Sequence, residues 1–140
     1  MSVIKSKRGI AGSEFVNTAR ELHKFSYQKC SKFPKSQTFR YGQMIVNAVD
    51  QILTSAQRAD RTHIYTKHDA QERLDAIRDA LAACDALDSA IEESADVCSI
   101  PYKVIERWAE LLDTEERLLC GQREYCYSKL NELKEIAKIR

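Results

Sequence analysis

The chain has 140 residues, of which 44% are hydrophobic and 31% charged, and its formal net charge is +1. This apolar content excludes a disordered tail, and four glycines with two prolines are too few for collagen or a turn-rich β protein. At this length the default is one domain spanning residues 1–140. No apolar run approaches the roughly 20 residues of a membrane-spanning helix, and no apolar secretion signal opens the chain, so a cytoplasmic protein is expected.

The first predicted helix covers residues 13–31, with Ser13 as its N-cap. The pattern ends because Pro34 disfavours helical dihedral angles at Phe33. A second helix is predicted over residues 36–61. In both, apolar residues recur at steps of three and four, which is the helical period: Phe15, Ala19, Leu22 and Phe25, then Ile45, Val49, Ile52, Ala56 and Ala59.

The third predicted helix covers residues 67–95 and begins at a capping box, in which Asp69 replaces the usual Glu opposite Thr66. The fourth covers residues 100–137, with Pro101 in the first turn, where its missing N–H is harmless. Their apolar stripes are Leu74, Ile77, Leu81, Cys84, Leu87 and Ile91, and then Val104, Trp108, Leu111, Leu118, Cys126, Leu130 and Leu133.

Short loops between long amphipathic helices favour antiparallel neighbours, so the predicted fold is all-α, an up-down antiparallel four-helix bundle. The core is expected to centre on Ile52, Leu81, Trp108 and Leu118. The fourth helix exceeds the second in length, so it either bends near Gly121 or projects beyond the bundle. Glycine destabilises the interior of a helix, so a packing reason is expected for Gly121. A projecting apolar stripe needs cover from a second subunit, so a homo-oligomer is expected.

Two polar residues, Glu115 and Gln122, interrupt the fourth apolar stripe. In the favoured interpretation the stripe drifts around the helix and leaves both side chains partly exposed. In the alternative they make a polar contact at a subunit interface, where one buried polar group can fix register.

No motif in the sequence supports catalysis, a metal or a cofactor. Asp60 and His63 are spaced i, i+3 and His68 follows, but a di-metal bundle needs carboxylate–His pairs on two helices, so solvated loop histidines are the favoured interpretation. The five cysteines form no CxxC pair, which predicts reduced thiols, with Cys84 and Cys126 in the core. Without a phosphate loop, HExxH or GxSxG, the protein is predicted not to be an enzyme.

The near-zero net charge hides a strong asymmetry along the chain. Residues 1–68 carry a net charge of +8 and residues 69–140 a net charge of −7, and no acidic residue lies between Glu21 and Asp50. Lysines and an arginine interleave with aromatic residues in that gap: Lys24, Lys29, Lys32, Lys35 and Arg40 with Phe25, Tyr27, Phe33, Phe39 and Tyr41.

Two interpretations of this basic segment stay open at the level of sequence. Lysines that neutralise phosphates and aromatic rings that stack on unpaired bases together form a footprint for single-stranded RNA or DNA. Alternatively, Phe25 and Phe33 pack in the core and the lysines form an ordinary solvated face. The candidate binding residues are these five basic residues together with Arg58 and Arg61.

Two stretches resemble a known superfamily. The string from Phe33-Pro34 through Lys35-Ser36 to Gly42 and Ile45 is similar to the signature that opens the second helix in small bacterial four-helix bundle proteins. Arg117, followed by two leucines, Cys120 and Gly121, resembles the late-helix pattern of the same proteins. The superfamily includes the accessory variability proteins of diversity-generating retroelements and proteins encoded in intervening sequences of ribosomal RNA genes.

The resemblance implies a homopentameric barrel of four-helix protomers without catalytic residues, which binds the retroelement reverse transcriptase and its template RNA, or a DNA/RNA hybrid, in mutagenic reverse transcription. Phe33, Pro34 and Gly42 would then set the turn between the first two helices. Lys32, Lys35 and Arg40 would supply positive charge there. The family commonly has a tryptophan after the late glycine, whereas here Gln122 follows it and Trp108 lies earlier. The alternative is an oligomeric scaffold of the intervening-sequence type, without a retroelement role.

Overall fold

The structure of the protein, a computed structural model, describes residues 13–139. These residues form four long helices and, within that range, no strand: α1 (Glu14–Cys30), α2 (Gln43–Arg61), α3 (Lys67–Val97) and α4 (Tyr102–Ile139). One helical turn, Lys35–Gln37, and a π-helical segment, Thr38–Gly42, lead into α2. The predicted all-α class with four helices is therefore confirmed, while residues 1–12 and 140 of the predicted domain lie outside the described residues.

The four helices pack in a ring. α1 contacts α2 and α4, and α3 likewise contacts α2 and α4. Consecutive helices run in opposite directions: Ser13, before α1, bonds to Asp60 near the end of α2, whereas His23, later in α1, bonds to Asp50, earlier in α2. This arrangement is that of an antiparallel four-helix bundle.

Both predicted N-caps occupy the expected positions, but they act differently. At the start of α3 the Thr66 hydroxyl accepts a bond from the Asp69 N–H, and the Asp69 carboxylate accepts one from the Thr66 N–H, which completes the predicted capping box. Ser13 makes no such bond to its own helix, and its hydroxyl instead donates to Asp60 at 2.5 Å. Ser13 therefore ties α1 to α2.

The core confirms two of its four predicted centres. Ile52 and Trp108 are fully buried, whereas Leu81 and Leu118 are only half-buried against the core. Leu119 is fully buried in place of Leu118. Alternating steps of three and four average 3.5 residues, whereas the helix has about 3.6 residues per turn. Over many turns the predicted stripe therefore rotates away from the core, and the buried position shifts by one residue.

Trp108 joins the first and last helices. Its indole N–H donates to the Ser26 hydroxyl at 2.8 Å, and both residues are fully buried. The Phe25 ring meets the indole edge-to-face, with the centroids 5.4 Å apart. A buried indole with a satisfied N–H and an aromatic partner is a strong packing contact between α1 and α4.

α4 has 38 residues, about 57 Å at 1.5 Å per residue, twice the 19 residues of α2. Its second half packs on the beginning of α3 in a separate small cluster: Ala70, Leu74, Cys126 and Leu130. Gly121 is exposed, and a Cβ there would meet nothing within 4 Å, so the protomer itself gives no packing reason for this glycine. The family-like Arg117 is also exposed and pairs with Asp113 at 3.4 Å.

Truncating Trp108 to Ala is expected to lower the free energy of unfolding by about 3–5 kcal/mol, because it leaves a large cavity and an unpaired Ser26 hydroxyl. Urea denaturation followed by circular dichroism measures the change. The matched control is Tyr102→Ala on the same helix, where the side chain is 77% exposed and the stability should hardly move. An unchanged midpoint for Trp108→Ala would contradict the role of the indole in joining α1 and α4.

Candidate nucleic-acid interface

Five of the seven predicted basic residues lie at one end of the bundle. Lys24 and Lys29 are in the last two turns of α1, and Lys32, Lys35 and Arg40 follow in the connection to α2. Lys29 is half-buried and the other four are exposed. We refer to these five residues as the basic cluster.

The other two predicted residues are separated from the basic cluster. Arg58 and Arg61 lie in the last turns of α2, which runs away from that end, so Arg58 is about 27 Å from Arg40 along the helix axis. Arg58 also pairs with Asp79 of α3 at 2.5 Å. The structure thus places this pair of arginines at the opposite end, and Arg58 is engaged within the bundle.

The charges of the basic cluster are poorly neutralised by the protein. No carboxylate of residues 13–139 forms an ion pair with any of its members. The next acidic residue along the chain, Asp50, already accepts bonds from His23 at 2.8 Å and from the Tyr27 hydroxyl at 3.1 Å. The cations of the basic cluster are therefore not held in ion pairs by the described residues and remain available to a polyanion.

The aromatic residues of the segment divide into two groups. Phe25 and Phe33 are partly buried and pack against the core, as the solvated-face interpretation requires. Phe39 is 89% exposed, and the guanidinium of Arg40 lies 5.6 Å from the centroid of the Tyr41 ring. Phe39 therefore presents an exposed ring on which an unpaired base can stack.

The backbone of the connection explains this division. The carbonyl of Pro34 accepts bonds from Gln37 and Thr38, and the wider π-helical turn that follows ends at Gly42. Gly42 is buried, and a Cβ there would lie 3.5 Å from Thr38 Cγ2 and 3.8 Å from the Cβ of Cys30. The connection is therefore packed closely against the end of α1, with Phe33 turned inward and Phe39 outward.

The candidate catalytic and metal groups are not brought together. His63 is exposed, His68 pairs with Glu72 at 3.0 Å, and Asp60 is held by Ser13. Within residues 13–139, no group of three or more His, Cys, Asp or Glu side chains is arranged to hold a metal ion. None of the five cysteines is in a disulfide, and Cys84 and Cys126 are fully buried as predicted.

Glu115 contradicts both sequence interpretations. It is neither partly exposed nor available to a second subunit, because its side chain is fully buried inside the protomer. Neither carboxylate oxygen has a hydrogen-bond partner among the described residues, and burial raises the pKa of this group to about 8. Gln122 is half-buried, in agreement with the interpretation that the apolar stripe drifts around the helix. Its side-chain carbonyl oxygen accepts a hydrogen bond from the Arg73 guanidinium at 2.7 Å.

Fold and site together define an all-α, four-helix protein with an unneutralised basic end that carries an exposed aromatic ring. Among the residues that the structure describes, no helix has both the length and the apolar character needed to cross a bilayer. Comparison with protein families, curated proteins and solved structures finds no match to this chain.

Glu115 is expected to make folding pH-dependent. Because its pKa is raised from 4.5 to about 8 in the folded state, its protonated form stabilises the fold fully below pH 4.5, and this stabilisation is lost as the pH rises through 8. Between pH 4.5 and pH 8 the free energy of unfolding of the parent protein should fall by an amount on the order of 4 kcal/mol. The Glu115→Gln variant should not show this fall. Chemical denaturation at pH 5, 6, 7 and 8 measures it.

The control for this experiment is Glu106→Gln, an exposed position on the same helix, which should keep the pH profile of the parent. A difference between parent and Glu115→Gln that stays constant with pH would show that Glu115 does not titrate from a buried position.

Proposed function

We propose that this protein is a non-enzymatic accessory protein of a diversity-generating retroelement. In this proposal the basic cluster and Phe39 bind the template RNA, or a DNA/RNA hybrid, and present it to the reverse transcriptase. The observation that carries the nucleic-acid part is the exposed, unpaired charge of the basic cluster beside an 89% exposed Phe39. The retroelement and its polymerase come from the resemblance of the Phe33–Ile45 and Arg117–Gly121 strings.

The chemistry of this end suits a flexible single strand. Lysines act as mobile point charges that neutralise phosphates without reading sequence, and an exposed ring stacks on any base. A planar guanidinium can read the edge of a base, and Arg40 is the one arginine of the basic cluster. Its guanidinium already lies over the Tyr41 ring. Binding is therefore expected to depend on charge and single-strandedness more than on sequence.

Oligomerisation would strengthen weak binding by each protomer. A closed ring repeats the basic cluster once per subunit, so several contacts to one strand are made at high effective concentration. A homopentamer, the assembly that the resemblance implies, would repeat it five times. We propose this assembly as the working form.

The alternative is an oligomeric scaffold of the ribosomal RNA intervening-sequence type, with no retroelement role. The inward packing of Phe25 and Phe33 favours it, since part of the aromatic signal serves the core. A neighbouring reverse transcriptase gene with paired template and variable repeats selects the retroelement role, and the lack of these elements selects the scaffold.

Reversing the charge of Lys32, Lys35 and Arg40 to Glu should lower the affinity for a labelled single-stranded RNA at least tenfold. The slope of log affinity against log salt should become shallower by roughly 0.7 for each lost phosphate contact. Phe39→Ala should weaken binding by about 1–3 kcal/mol per stacked base while leaving the salt slope unchanged. Fluorescence anisotropy over a range of salt concentrations measures both.

The matched control reverses Lys67, Lys134 and Lys138, three exposed lysines at the far end of the bundle, and it changes the net charge by the same amount. It should retain most of the affinity. If the two triple variants bind RNA equally, the basic cluster is only a solvated face and the scaffold interpretation replaces the proposal.

Light scattering is expected to give one species at five times the 16.1 kDa mass of the chain. A single species of 16.1 kDa at micromolar concentration would contradict every oligomeric form of the proposal. A closed assembly of another size would correct the subunit number alone.

A further inference from the structure

A cavity of about 370 Å³ lies at the basic end, between the last turn of α1 and the turn that joins α3 to α4. Its walls include Lys29, Lys32 and Phe33 from the first side, and Ile100, Pro101 and Val104 from the second. The volume falls at the lower end of the range typical of small-molecule sites. Neither the sequence motifs nor the proposed RNA contact accounts for it.

The inner wall of the cavity is apolar and fixed by the core. Phe33, Ile100 and Val104 are all partly buried and pack against the main hydrophobic cluster. Ser99, at the turn, is held at φ 51°, a left-handed conformation that is uncommon for a residue with a side chain. The wall therefore belongs to a defined turn that is continuous with the core, and it offers an occupant mainly hydrocarbon surface.

The rim of the cavity is cationic. Lys29, in the last turn of α1, and Lys32, two residues beyond the helix, both line the cavity. No carboxylate of residues 13–139 pairs with either lysine. The positive charge of the rim comes from these two side chains, because the dipole at the start of α4 is opposed by those of α1 and α3, which both end at this cavity. An apolar pocket with a positive rim is complementary to an amphipathic anion.

We propose that this cavity binds an aliphatic carboxylate, with its head group between Lys29 and Lys32 and its chain against Phe33, Ile100 and Val104. Charge complementarity selects this occupant, because a cationic molecule of the same shape would be repelled by Lys29 and Lys32 and a neutral one would gain no attraction from them. A nucleobase fits the lining less well, since Ser99 is the one uncharged hydroxyl side chain among the lining residues and a base edge needs several polar partners. The site shares Lys29 and Lys32 with the basic cluster, but its apolar wall lies outside that cluster.

The probe is sodium decanoate, compared with octanoate, hexanoate and acetate. The chain has one tryptophan, and Trp108 lies one helical turn from Val104, so its fluorescence reports on the wall of the cavity. Affinity should rise up to about fourfold with each added methylene until the cavity is full, because each buried methylene adds a fixed transfer free energy. Decyltrimethylammonium, with the same chain and the opposite charge, should not bind.

Two double variants locate the site. Lys29→Glu with Lys32→Glu should weaken decanoate binding more than tenfold, and the neutral pair Lys29→Gln with Lys32→Gln should weaken it less, which guards against misfolding of the first. The matched control, Lys24→Glu with Lys35→Glu, changes the same charge at the same end but outside the cavity lining, so decanoate should bind as it does to the parent.

Equal binding of decanoate and decyltrimethylammonium would overturn the proposal by showing adsorption to apolar surface alone. Equal weakening by the two Glu pairs would also overturn it, because the response would then come from the general field of this end. RNA affinity should fall in both Glu pairs, so failure of the carboxylate site can be distinguished from failure of the RNA proposal.

Discussion

The buried contact of Trp108 with Ser26 and Phe25 fixes the end of α1 that carries the basic cluster. It closes the helix ring between α1 and α4, the two members that are farthest apart in sequence. The same Phe25 ring lies 5.4 Å from the ammonium of Lys29. Core packing is thus linked directly to the position of a surface cation, because the ring that meets the indole on one side also attracts the lysine.

A protein of nearly neutral net charge carries a local excess of cations at one end. The acidic residues are concentrated in α3 and α4, and the first acidic residue of α2, Asp50, is already engaged by His23 and Tyr27. The last two turns of α3 bring three exposed acidic residues to the same end, and none of them forms an ion pair with the basic cluster: Glu92, Glu93 and Asp96. The field of the other acidic residues of α3 and α4, farther along the bundle, decays over about 8 Å at physiological salt. Local placement of charge therefore matters more here than the sum of +1.

The sequence predicted the helices well, because periodicity, prolines and caps are local signals. The capping box at Thr66 and Asp69 depends on residues three positions apart and was predicted correctly. The exact core face of a long helix is not local: the buried position of Leu119, in place of Leu118, depends on how the stripe rotates over many turns. The open space around Gly121, in the middle of α4, likewise depends on where the other helices lie.

The candidate site was predictable in part for the same reason. The gap in acidic residues located the basic cluster, but the separation of Arg58 follows from the direction of α2 and from its pairing with Asp79. Sequence alone did not show that Phe33 is partly buried and Phe39 exposed, because the π-helical turn that contains Phe39 changes the direction of successive side chains. The position of Glu115 within an apolar stripe was a sequence signal for its burial. Only the packed structure shows that its side chain lies inside the core.

Contact between the α1–α2 connection and a single strand is the central claim of this account. Ultraviolet cross-linking of the protein to single-stranded RNA, followed by mass spectrometry of the linked peptides, tests it directly. Exposed aromatic residues elsewhere provide internal references, since Tyr65 is 82% exposed and Tyr125 45% exposed. The account predicts cross-links at Phe39 and Tyr41 and few at these two references. Cross-links mainly at Tyr65 or Tyr125 would contradict it.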